Sequence, residues 1–175
     1  MPKIIADLET TLRKEARRMI LEEGYEAFNM RAVAANCKVA VGTVYNYFTS
    51  KEMLAASVML EDWLLALEAM ANEAQAAQDV MHGLRNIFSQ ILRFRSVYQR
   101  AWQAYADGGK AVSLRGEYHE KLILQLGEVI APLLARFGCD YAPVLPAFLA
   151  ENLLNAAARG EARFDELVPV LRRLV

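Results

Sequence analysis

Residues 24–54 read GYEAFNMRAVAANCKVAVGTVYNYFTSKEML, and this stretch decides the fold. Two short helical patterns, about Met30–Asn36 and Val41–Phe48, flank a four-residue connection, Cys37-Lys38-Val39-Ala40. In the first pattern Val33, Ala34 and Cys37 are spaced to face a core, and in the second Val44 and Phe48 are. Burying those faces leaves Arg31, Lys38, Thr43, Tyr45, Asn46, Tyr47 and Lys51 outside, with Val41 at the start of the second helix. An apolar seam backed by hydroxyl, amide and cationic groups is the layout of a helix-turn-helix, whose second helix enters the major groove. Tyr and Thr hydroxyls position on the DNA backbone and Asn can read adenine bidentately, so Thr43, Tyr45, Asn46 and Tyr47 are expected on base edges or sugar-phosphate. Arg31, Lys38 and Lys51 are expected on phosphates. For Tyr45 the alternative is a ring that packs and supports the head.

Outward from this core nearly every segment reads as helix. Towards the N-terminus, Ile5, Leu8, Leu12, Ala16, Met19 and Ile20 recur at helical spacing. Gly24 follows as the C-cap, because Glu22 and Glu23 oppose the dipole at that end. Arg13, Lys14, Arg17 and Arg18 cluster on the same helix, as a solvated face or as phosphate contacts. Towards the C-terminus, Thr49 with Glu52 makes a capping box and Ser50 a simpler cap, and the pattern leaves both open. A fourth helix is expected over about Lys51–Ala71, a fifth over Val80–Tyr98 and a short sixth over Arg100–Asp107, with Gly108-Gly109 breaking the chain. A seventh spans roughly Ser113–Phe137; Pro132 should kink it or end its regular hydrogen-bond ladder, and Gly138 should close it. An eighth carries Pro143 and Pro146 in its first turn and ends near Arg159-Gly160, and a ninth covers about Phe164–Leu174. The expected fold class is all-α, with about nine helices: a head over residues 1–50 and a helical bundle over 51–175.

Composition narrows the functional classes. Of 175 residues 55% are apolar, and the mean hydropathy of +0.12 argues against disorder. No apolar run approaches the ~18 residues of a membrane span, and an acid interrupts the first residues too early for a signal peptide. A cytoplasmic protein with two free thiols, Cys37 and Cys139, is the simpler reading. The net charge is −1, but residues 1–51 hold eight Lys/Arg against six Asp/Glu, and residues 52–175 hold twelve against fifteen. Where the cations lie matters more for phosphate affinity than their sum. His82 and His119 are too isolated for a metal site, no cofactor motif is present, and no nucleophile constellation supports an enzyme.

Residues 12–54 resemble the DNA-binding head of the TetR family of transcriptional repressors. The resemblance rests on Ala16, Gly24-Tyr25, Val33-Ala34, Val39, Gly42-Thr43-Val44-Tyr45, Phe48, Ser50-Lys51-Glu52 and Leu54. It implies a homodimer whose heads sit in successive major grooves of a near-palindromic operator, about 34–36 Å apart. It also implies a small-molecule effector that enters the body, shifts the fourth helix and changes the distance between heads. Two positions depart from the family's pattern: Lys38 stands where glycine is usual in the turn, and Ala40 where a capping serine is usual. A helical ligand-binding protein whose head no longer reads DNA is the competing reading.

In the body, Met59, Trp63, Phe88, Arg95, Tyr98, Trp102 and Tyr118 are candidates to line an effector pocket, with core filling as the alternative. Arg95 borders the apolar stripe of its helix; if it points inward it needs an anionic partner, Asp107, Glu128 or a ligand carboxylate, and a structural pair or a surface snorkel is the alternative. For the dimer, Phe148, Leu149, Asn152, Leu153 and Ala156 of the eighth helix and Phe164 and Leu171 of the ninth are candidates for an intersubunit bundle. Packing within one protomer is the alternative.

Overall fold

The computed structural model describes residues 7–107, 111–139, 142–159 and 163–175, and within 101–118 the backbone alone. Among the described residues there are eight helices and no strand: α1 (Leu8–Glu22), α2 (Met30–Asn36), α3 (Val41–Tyr47), α4 (Lys51–Ala76), α5 (Val80–Asp107), α6 (Ala111–Arg136), α7 (Leu145–Arg159) and α8 (Arg163–Leu174). The fold class is the expected one. Nine helices become eight because the expected fifth and sixth are one rod, α5, with neither Gly nor Pro between Tyr98 and Arg100 to break it. α4 runs five residues beyond its expected end at Ala71. The Gly108-Gly109 break, the Gly160 stop and Ile5 lie outside the described residues.

Prolines and glycines act as their backbone chemistry dictates. α6 runs through Pro132 to Arg136, one residue short of its expected end, so the helix bears the missing donor. α8 likewise contains Pro169. Pro143 precedes α7, and only Pro146 occupies its first turn. Gly24 and Gly138 take φ of 87° and 68° at the ends of α1 and α6. Gly24 N–H donates to the Met19 carbonyl at 3.1 Å, and Cys139 N–H to the Leu134 carbonyl at 3.1 Å. Both are helix-closing bonds that a left-handed residue permits.

The chain divides into two compact units. The first comprises Met1–Asp62 with Tyr98–Gly108, the second Trp63–Val97 with Gly109–Val175. The first therefore holds α1–α3, the start of α4 and the end of α5. Its core is Leu12, Ala16, Met19, Phe28, Val33, Val44, Leu54 and Val58, all nearly inaccessible. The second unit has its own core, in which Met70, Leu84, Ile87, Phe88, Ile130 and Leu134 pack with Leu149, Leu153 and Phe164. α6 meets the first turn of α7 at Gly127: a Cβ there would lie 3.6 Å from the Ala147 backbone nitrogen, an ordinary contact distance.

Candidate nucleic-acid interface

The three-helix head is pinned by local chemistry that its sequence supplies. Asn29 caps α2, its side chain accepting from Ala32 N–H at 2.9 Å. Asn36, at the end of α2, donates to Glu15 Oε1 of α1 at 2.7 Å. Glu15 also accepts from Arg18 at 2.7 Å, and this guanidinium holds the Glu15 carboxyl below its ordinary value. Arg18 further bridges Glu22 and Glu23, which offsets their unfavourable position at the helix C-terminus. Cys37 is a core thiol, its Sγ 3.9 Å from the Thr11 carbonyl, and burial pushes it away from the thiolate.

The turn and the outer helix show what the two departures cost. Lys38 adopts φ 58°, a left-handed conformation that a Cβ disfavours by ~1 kcal/mol or more. Ala40 has the extended backbone of an N-cap, φ −67° and ψ 144°, but no side chain to cap with. At the start of α4 the open question of the cap is settled: Met53 N–H donates to Ser50 Oγ at 3.2 Å, so Ser50 is the cap.

α3 buries Val44 and turns its other side outward. Tyr45 is 50% exposed and Tyr47 47%, with Val41, Gly42 and Asn46 exposed and Thr43 half-buried. Half of Tyr45 is thus left open to solvent. Arg31 and Lys38 are also exposed. Nothing lies within 4 Å of a Cβ built on Gly42, so no close approach inside the protomer explains that glycine. Lys51 is half-buried, its Nζ 4.3 Å from the centroid of the Tyr25 ring and 5.6 Å from that of Phe28. The rings' negative faces offset its position at a helix N-terminus.

The basic cluster of α1 faces acids. Arg13 meets Glu9 at 2.6 Å and Glu61 at 3.6 Å, and Arg17 meets Asp62 at 2.7 Å. Glu61 and Asp62 were not singled out from the sequence. Their signal is an acidic pair within the otherwise uncharged stretch Met53–Leu67.

The body candidates separate. Met59 and Tyr98 are buried in the first unit; Trp63 and Phe88 are buried in the second. Trp63 Nε1 donates to Gln125 at 3.0 Å and its ring meets Phe94 edge-on at 5.1 Å. Arg95, also in the second unit, donates to the Ala157 carbonyl of α7, a neutral structural partner in place of an anion. The side chains of Trp102, Tyr105, Asp107 and Tyr118 lie outside the described residues. Two surface concavities, of about 160 and 260 Å³, sit around α7–α8 and around Asp79–Arg85 with α8. None of Met59, Trp63, Phe88, Arg95 and Tyr98 lines either.

The dimer candidates need a correction. Leu149, Leu153, Ala156, Phe164 and Leu171 are buried in their own protomer, because a helix in a bundle first satisfies its intramolecular stripe. Phe148 stays 45% exposed and Asn152 half-buried. Val144, just before α7, and Val170 and Leu174 of α8 are also exposed. Among the described residues no helix is long and apolar enough to cross a membrane, and no cluster of His, Cys, Asp and Glu could hold a metal ion.

The architecture is thus an all-helical protein carrying an N-terminal helix-turn-helix. Residues 12–58 match the family model described as "Bacterial regulatory proteins, tetR family", so this head is a TetR-family head. The chain is 43% identical over 65 residues to the HTH-type transcriptional repressor KstR of Rhodococcus jostii (33% of this chain, 31% of KstR). It is 29% identical over 80 residues to the HTH-type transcriptional regulator UidR of Escherichia coli (46% of this chain, 41% of UidR). The matches thus span a third to two-fifths of those relatives. A TetR-family transcriptional regulator from Pectobacterium atrosepticum superposes on 95% of this chain and 91% of its own with a TM-score of 0.70, at 22% identity. The fold is therefore shared along nearly the whole length.

Proposed function

We propose that this chain is a ligand-responsive transcriptional regulator, a repressor that binds a near-palindromic DNA operator as a homodimer and is released by a small-molecule effector. The observation that carries the reading is α3. A buried Val44 anchors it, while Thr43, Tyr45, Asn46 and Tyr47 face outward on a head of the TetR family. The open space over Gly42 suits a helix that presses its backbone against a foreign surface. Arg31 and Lys38 flank it as phosphate cations, and Lys51 joins them from the start of α4. The exposed apolar residues of α7 and α8 supply the two-fold contact. A cytoplasmic location follows from this role. The effector must bind the two states of the body unequally, since tightness alone shifts no equilibrium.

Selection from a random pool of duplex DNA tests the reading. The expected product is a near-palindrome whose half-sites are about one helical turn apart. A pool with no enriched sequence overturns it, and then a helical ligand-binding protein with a silent head, consistent with the strained Lys38 and uncapped Ala40, takes its place.

A further inference from the structure

Asp62 is the last residue of α4 in the first unit, and Tyr98 the first residue of α5 in it. The two meet: the Tyr98 hydroxyl donates to Asp62 Oδ2 at 2.5 Å. The other carboxylate oxygen, Oδ1, accepts from Arg17 Nε of α1 at 2.7 Å. One carboxylate thus joins three helices. Tyr98 is 2% exposed and the Asp62 side chain 12%, so solvent and salt screen the phenol–carboxylate bond little, while Arg17, 47% exposed, closes the network from the solvent side. Hydrogen bonds to an ionised acceptor are short and directional, so they fix orientation where apolar packing tolerates sliding. Glu61 beside Asp62 pairs with Arg13, one turn before Arg17, and adds a second tie between α1 and α4. Both α4 and α5 continue as unbroken helices into the second unit.

Resting on the DNA-binding reading above, we propose that Arg17, Asp62 and Tyr98 are positioning residues for DNA binding. Asp62, held between the guanidinium of α1 and the phenol of α5, fixes the first-unit parts of α4 and α5 against α1. None of the three touches DNA. Arg17, one of the cations available for phosphate in the sequence, is committed to Asp62 instead. Loosening the network lets these helices of the first unit shift against one another, so fewer molecules hold a docking-competent head, and apparent affinity falls by that fraction.

The test uses the full chain and the duplex enriched by selection, titrated at several salt concentrations. Tyr98→Phe removes one hydroxyl and no charge. It should weaken binding ~3- to 10-fold with the salt slope unchanged, because no phosphate cation is lost. Arg17→Gln should weaken it comparably, also without changing the slope. Because both act through Asp62, the double variant should lose less than the product of the single losses. Tyr98→Phe binding with unaltered affinity well below its unfolding midpoint, even with that midpoint lowered, overturns the proposal and leaves the network a fold-stabilising contact. An Arg17→Gln slope reduced by ~1 makes Arg17 a phosphate contact and overturns it equally. A parent chain that enriches no duplex overturns the DNA-binding reading and this proposal together; a parent that binds beside silent variants overturns this proposal alone.

Discussion

Gly83 of α5 lies so close to Leu133 of α6 that a Cβ on it would sit 2.5 Å from Leu133 Cδ1 and 3.2 Å from Cγ. Leu133 is itself 2% exposed in the second core, so its methyls have nowhere to retreat. Gly83→Ala gains up to ~1 kcal/mol of helix propensity, but overpacking costs ~1–3 kcal/mol, and the clash wins. The expected outcome is a net loss of ~1–2 kcal/mol in urea unfolding. Adding Leu133→Ala should cost less in the Gly83→Ala background than in the parent. Independent, additive losses would show that the two residues are not coupled.

The turn of the head offers gains. Lys38 at φ 58° is strained and Ala40 leaves α3 uncapped. Lys38→Gly should stabilise by ~0.5–1 kcal/mol, strain relief exceeding the entropy of a freer unfolded chain. Ala40→Ser should add ~1 kcal/mol through a bond to a first-turn amide of α3. The readout is hydrogen exchange of the α3 amides, which should slow in both variants. Exchange left at the parental rate would mean that α3 is held by Val44 packing alone.

The head was legible because its rules are local. Gly24 at a helix end, Lys38 in the turn and Ala40 before α3 each carry a conformational consequence readable from neighbours in sequence, and α2 fell on its expected residues. Helix number failed at Tyr98–Arg100, where two expected helices are one, since nothing in a local pattern marks a continuous rod. Ser50 and Thr49 were equal on paper; only a backbone could choose Ser50. The faces of α7 were misassigned for a deeper reason. Apolar periodicity says that Leu149 and Leu153 are buried, but not whether by the same chain or another. Asp62 was missed because its partners lie 45 and 36 residues away in sequence.

Acid should loosen the head through Glu15. Its carboxyl is depressed, first by the hydrogen bond from Arg18 and then by that from Asn36. A depressed acid contributes stability above its unfolded value of about 4.3, and that contribution is lost as pH falls through the folded value. Urea midpoints should therefore decline below about pH 4.5. Glu15→Gln should be less stable at neutral pH and show a shallower decline. Parallel profiles for parent and variant would remove Glu15 from the acid response.

Lys51 has two roles to separate. Its stacking on Tyr25 at 4.3 Å contributes ~0.5–1 kcal/mol to stability, and as a phosphate cation it contributes to the salt dependence of binding. Lys51→Ala should lower the unfolding midpoint slightly and flatten the plot of log affinity against log salt by about one unit. Lys51→Arg should restore the slope. A slope unchanged in Lys51→Ala would leave the residue a purely structural cation and remove it from the phosphate set.

The exposed apolar residues at α7 and α8 are the proposed seat of the two-fold contact. Phe148, Val144, Val170 and Leu174 remain outside although their neighbours Leu145, Leu149 and Leu171 are buried, and a two-fold contact uses each of them twice. A charge at Phe148 would be desolvated at the centre of such a contact, where a large aromatic commonly contributes ~2 kcal/mol or more. Phe148→Asp should therefore sediment as a monomer at concentrations where the parent is a dimer, with thermal stability of the protomer little changed because the side chain is half in solvent. Its affinity for a two-half-site duplex should collapse towards that of a single half-site, since a monomer docks one head at a time. A Phe148→Asp chain that still sediments as a dimer would move the interface to another face.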